Sequence, residues 1–127
     1  MWIKTNPNPC GRVVGDCVVR AAAIALGITW EDAFNILADA AFAMCDMPSS
    51  DSVLGAILRQ RGFVRTAIPD SAPDNYTAED FARDNPEGVF VLGFGGHVAC
   101  VRSGNILDAW DSSQERPLFV WYRKDDY

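Results

Sequence analysis

The residues of this chain with the most specific chemistry are four cysteines and a single histidine. Cys10, Cys17, Cys45 and Cys100 form no Cys-x-x-Cys pair. His97 and Cys100 lie three apart in a strand-like run, so their side chains point to opposite faces and a tetrahedral zinc site is not expected. Cys17 stands apart from the other three. Gly15-Asp16-Cys17 opens into a run through Leu26 that is apolar on nearly every side, Arg20 excepted, and Gly27 supplies a stop. A helix that is apolar all round is a buried one. A cysteine in its first turn faces unpaired N–H groups and the positive end of the helix dipole, and both favour a thiolate. The bland reading of Cys17 is a small buried hydrophobe. The chemical reading is a nucleophile, which needs a base and a group to orient that base.

His97 is the only imidazole available. It follows Gly95-Gly96, which leaves room for a neighbour or a substrate backbone, and it begins a strand over 97–102. Ser103-Gly104-Asn105 reads as a hairpin turn, and Ile106 to Ser112 returns antiparallel. A two-residue loop at Ser103-Gly104 sets His97 opposite Trp110 and Ala99 opposite Asp108. A loop at Gly104-Asn105 sets His97 opposite Ser112 and Val101 opposite Asp108. Side chains alternate with period two, so in both registers Asp108 shares the face of His97. A three-residue loop reverses the parity and brings Asp111 round instead. Asp108 is the expected orienting acid, and Asp111 is the fallback.

The elements that must hold these groups follow from the rest of the chain. Its 127 residues suit one domain, 1–127, and 49% of them are apolar, enough for a core without metal or disulfide staples. The formal charge is −6 with no cluster of Lys or Arg, which argues against nucleic acid or an anionic membrane as a partner. No 18-residue apolar run and no leader-like segment is present, so a reducing cytoplasm with free cysteines is the expected setting. Residues 1–13, with Asn6-Pro7-Asn8-Pro9, read as an extended lead-in. Asp16 is a natural N-cap for the Cys17 helix. Thr29 starts a second helix with Trp30, Phe34, Leu37, Ala41 and Met44 as its apolar stripe, ended by Asp46-Met47-Pro48. Ser49-Ser50-Asp51-Ser52 caps a third, with Val53, Leu54, Ile57 and Leu58 inward and Gly62 as its stop. A strand over 63–68, a polar loop from Pro69 to Tyr76 and a short capped helix from Thr77 follow. Strands at 88–94 and 97–102, the 106–112 return and a last strand at 117–124 complete an α+β chain, with helices first and an antiparallel sheet after them. Arg20 reads as a buried ion-pair partner of Asp16 or of a distant acid. Cys45, Cys100, Trp30 and Trp121 read as core.

In this order the pieces resemble the papain-like cysteine peptidase superfamily. The matching segments are Gly15-Asp16-Cys17, Gly96-His97-Val98-Ala99 and Asp108-Ala109-Trp110, and together they span roughly residues 6–124. The chain is also similar to small phage-encoded members in its Gly-Asp-Cys helix and its Asp-x-Trp-Asp-Ser segment. The resemblance implies a papain-like domain with the nucleophile Cys17, the base His97 and the orienting Asp108, with Trp110 shielding the histidine–carboxylate bond. The family's upstream glutamine is missing, and Gly11 stands six residues before Cys17. Asn8, with Asn6 behind it, is the nearest side-chain amide for an oxyanion, although both also suit plain turns before proline. The expected function is hydrolysis of an amide or isopeptide bond in a protein or peptide substrate, host-derived if the protein is phage-encoded, with no cofactor and no metal. The rival expectations are a peptidoglycan amidase or endopeptidase, and a binding module that occupies a host partner without catalysis.

Overall fold

The apolar run after Cys17 forms helix α1 (Cys17–Leu26) in a computed structural model that describes residues 1–69 and 71–127. Gly27 closes it in the left-handed conformation, φ +66°, with its N–H turned back on the carbonyls of Ala23 and Ile24. Helix α2 (Trp30–Met44) begins where the Thr29 hydroxyl accepts the Asp32 N–H at 3.0 Å. Helix α3 (Asp51–Gln60) begins where Ser50 accepts the Ser52 N–H at 3.1 Å. Helix α4 (Ala78–Asp84) is held by a reciprocal Thr77–Asp80 capping box.

The strands are β1 (Trp2–Lys4), β2 (Phe63–Ala67), β3 (Val89–Phe94), β4 (His97–Arg102), β5 (Asn105–Asp108) and β6 (Phe119–Arg123). They make one sheet in the order β1-β5-β4-β3-β6-β2. Alternation along β3 divides the core in two: Val91 packs with α1, α2 and α3, whereas Phe90, Leu92 and Phe94 join Phe81 of α4 on the other face. At Gly93 the missing side chain is filled from the next strand, because a Cβ there would lie 2.0 Å from the Phe119 ring. Arg65 stacks its guanidinium 4.0 Å from the centroid of that ring. No single helix among the described residues is long and apolar enough to cross a membrane.

The α+β class stands, and several finer expectations need correction. The sheet is mixed rather than antiparallel, because β1 runs parallel to β5 with Trp2 opposite Ile106 and Lys4 opposite Asp108. The extended lead-in therefore contains an edge strand, and α4 lies outside the helical layer that precedes the sheet. Strand β5 stops at Asp108 instead of reaching Ser112, because the Asp108 carboxylate takes the next backbone N–H, that of Ala109, at 2.8 Å and turns the chain. Of the stripe expected on α2, Leu37 and Ala41 are buried and Trp30 is half-buried, whereas Phe34 and Met44 are exposed and Ala33 joins the buried line. Cys45 is exposed rather than core, since it ends α2 in the left-handed conformation with φ +55°.

Candidate active site

Helix α1 carries Cys17 at its first residue, at the edge of the buried core. Asp16 occupies the N-cap position, but its ψ of 24° is not extended and its side chain caps nothing. The reason lies one turn further on. Arg20 is buried and needs a counter-charge, and a charge-assisted bond outcompetes a cap to a neutral N–H. Asp16 Oδ1 therefore pairs with Arg20 Nη1, and Asp16 Oδ2 accepts from Trp30 Nε1 at 2.9 Å. Arg20 Nη2 reaches across to Asp108 Oδ1 at 3.3 Å. Arg20 thus serves both the near acid and the distant one. Trp121 is core, whereas half-buried Trp30 braces the base of the site.

The hairpin between β4 and β5 has the two-residue loop Ser103-Gly104, with φ +52° and +76° and Arg102 opposite Asn105. Counting on from that register sets Ala99 opposite Asp108 and His97 opposite Trp110. His97 Nε2 lies 2.7 Å from Asp108 Oδ2. Asp108 also accepts from Ser112 Oγ at 2.7 Å and from the Ala109 N–H at 2.8 Å. Asp111 is exposed and accepts the Ser113 N–H at 3.0 Å, so it serves its own turn rather than His97. The Trp110 ring sits 4.5 Å from the His97 ring, and Phe94 stacks on the imidazole at 5.8 Å. Phe94 and Ser112 are two supports that the sequence did not single out. Phe94 could have been found, because the Gly95-Gly96 turn makes it the cross-strand partner of His97. Ser112 lies past the end of β5, where period-two counting no longer applies.

The charges of the three groups are coupled. Burial pushes the Cys17 thiol up, but the hydrogen bonds to His97 and from the Val98 N–H, with the charges of His97 and Arg20, hold it below its ordinary 9.0. Burial would lower His97, yet its hydrogen bonds to Asp108 and Cys17 and their charges raise it to about 9. Asp108 is held below its ordinary 3.8: burial opposes this, and His97, Ser112 and the Ala109 N–H prevail. An ionised Asp108 only accepts hydrogen bonds, so Nε2 carries the proton and Nδ1 is left for the thiol. By contrast, burial pushes the thiol of Cys100 up to about 12, as suits a core residue.

Cys17, His97, Gly96, Val98, Ser49 and Asp51 surround a cleft of about 230 Å³. The described residues of the loop from Pro69 to Tyr76 line other hollows, beside Arg116, Leu118 and Tyr127, and none of them lines this cleft; Asp70 lies outside the described residues. Asn6 and Asn8 both build the lead-in turn. Asn6 donates to the Arg12 carbonyl at 3.0 Å and accepts the Asn8 N–H at 3.1 Å, which commits its amide away from Cys17. Asn8 accepts the Cys10 N–H at 2.9 Å and directs its Nδ2 toward Asp16 Oδ2 at 3.4 Å, next to the start of α1. Among the described residues no three His, Cys, Asp or Glu side chains stand together as a metal site. No protein-family model, curated protein or solved structure matches the chain.

Proposed function

We propose that the protein is a papain-like cysteine hydrolase that cleaves an amide or isopeptide bond through a thioacyl intermediate. The observation that carries this reading is the unbroken line from a helix-terminal thiol through His97 to a buried carboxylate, Asp108, 2.7 Å from Nε2. The Cys17 thiolate attacks the carbonyl carbon, and the developing oxyanion is met by the Cys17 N–H, which the Asn8 amide joins on turning its Nδ2 from Asp16 Oδ2. As the C–N bond breaks, the imidazolium of His97 gives its Nδ1 proton to the departing amine. Water then attacks the thioester, His97 takes its proton, and the thiolate leaves with the imidazolium restored. Asp108 holds the ring orientation throughout, and Trp110 covers it. A reducing cytoplasm suits such a thiolate.

Alkylation with iodoacetamide tests the site directly. Cys17 is expected to react faster than exposed Cys10 and Cys45, with a rate that rises through a midpoint below pH 9.0. Uniform labelling of the exposed cysteines with Cys17 unreactive would sink the reading. A Cys17→Ser variant that keeps its biological activity would point to a binding module instead.

A further inference from the structure

The cleft at Cys17 does not end at its own walls. Val18 and Ser49 also line a second hollow of about 370 Å³, and Asp51 also lines a third of about 390 Å³. The cleft of the reactive pair thus has one hollow beside it across Val18 and Ser49 and another beside it across Asp51. Both outer hollows are of the size that holds a small ligand group.

The two ends differ in chemistry. The first is walled by Val14, Val18, Val19, Trp30, Phe34 and Pro48. Trp30 and Phe34 stack at 5.2 Å, and Val14 and Phe34 stay 38% and 41% exposed. The carboxylate of Asp16 at its margin is already occupied by Arg20 and Trp30, so this end offers apolar surface. The third hollow holds Arg59 and Arg65, both exposed, with their guanidiniums 5.0 Å from the Trp121 ring and 4.0 Å from the Phe119 ring. No carboxylate among the described residues pairs with either. In a chain of net charge −6, two arginines held by rings, with no acid paired to them among the described residues, present guanidinium forks to this hollow. Asp51 at the junction repels a carboxylate there and leaves the far end as the favourable place for one.

We infer that this groove takes a peptide with an apolar side chain on one side of the scissile bond, against Trp30 and Phe34, and a carboxylate on the other, against Arg59 and Arg65. This rests on reading Cys17 and His97 as the reaction centre.

The test is binding of blocked peptides to the Cys17→Ala variant, measured by calorimetry. The peptides are Phe–spacer–Glu with a glycine spacer, the same with Lys for Glu, the same with Gly for Phe, and each in reversed order. One order of Phe–spacer–Glu is expected to bind roughly tenfold tighter than its Lys counterpart. That preference should shrink as salt rises. The double variant Arg59→Glu/Arg65→Glu should abolish it, and Phe34→Asp should abolish the preference for Phe over Gly. Equal affinity for the Glu and Lys peptides, or a Phe preference untouched by Phe34→Asp, overturns the inference. Binding does not depend on turnover. Peptide preference without selective alkylation of Cys17 would remove the hydrolase and keep the groove, and the converse would remove the groove alone.

Discussion

Removing the Cys17 thiol should make the stability of the fold depend on pH in a window where the wild type does not. In the unfolded chain His97 loses its proton near 6.5 and Cys17 near 9.0. In the folded protein His97 keeps its proton up to about 9, and Cys17 gives its proton up below 9.0. The raised histidine contributes stability that is complete below 6.5 and is lost as pH climbs to its folded value. The lowered cysteine acts in the opposite sense and adds stability as pH rises toward 9.0. Where the folded state holds the imidazolium–thiolate pair and the unfolded state the neutral pair, both bind one proton and the slopes cancel. Cys17→Ser deletes the rising limb. The falling limb remains, at about 1.4 kcal/mol per pH unit. It begins at 6.5 and ends below 9, because the hydrogen bond and charge of Cys17 no longer help to raise His97. Urea unfolding of both proteins between pH 6 and 9 reads this directly, and a His97→Gln/Cys17→Ser double variant should be flat again. Parallel pH profiles for wild type and Cys17→Ser would refute the coupled pair.

Other perturbations act on the same site. Arg20→Met leaves Asp16 and Asp108 buried without their shared counter-charge, and should cost about 3–5 kcal/mol in urea unfolding. It should also move the alkylation midpoint of Cys17 upward, since the Arg20 charge helps to lower that thiol. Ser112→Ala removes a buried hydroxyl donated to Asp108 at 2.7 Å, and should cost about 1.5–3 kcal/mol. Without that donor the carboxyl of Asp108 is less depressed, so on acidification the loss of stability should still begin near the unfolded value of 3.8 but end at a higher pH, and be smaller, than in the wild type. Asn8→Ala should lower turnover of a peptide substrate about 10²–10³-fold while leaving the alkylation rate of Cys17 unchanged. Unaltered turnover would take Asn8 out of the oxyanion site.

The meeting of His97 with Asp108 was legible because it needs only local rules. A two-residue turn and period-two alternation carry the parity across a hairpin of a dozen residues. The helix starts at Thr29, Ser50 and Thr77 were legible for the same reason, since each cap is written within three residues of the N–H it serves. The unread parts depend on distant partners. Strand β1 is three residues long and is held by a strand over a hundred positions away, with the Trp2 indole and the Thr5 N–H both donating to the Asp108 carbonyl. Asp16 has the residue type of a cap, but Arg20 claims it, and the second arm of Arg20 lands on Asp108, 88 residues later. The apolar stripe of α2 is legible only in part: Leu37 and Ala41 are buried as the spacing implies, but Ala33 rather than its neighbour Phe34 completes the line.

The space at Gly93 would give the inferred groove a route to a changed charge preference without touching an exposed residue. The Phe119 ring occupies the space that a side chain at Gly93 would fill, and Arg65 rests on that ring. A single methyl group added at Gly93, in the middle of the sheet, must displace the ring and with it the guanidinium that it carries. Such a change would move a positive charge at the rim of the groove while every charged residue of the sequence stayed the same.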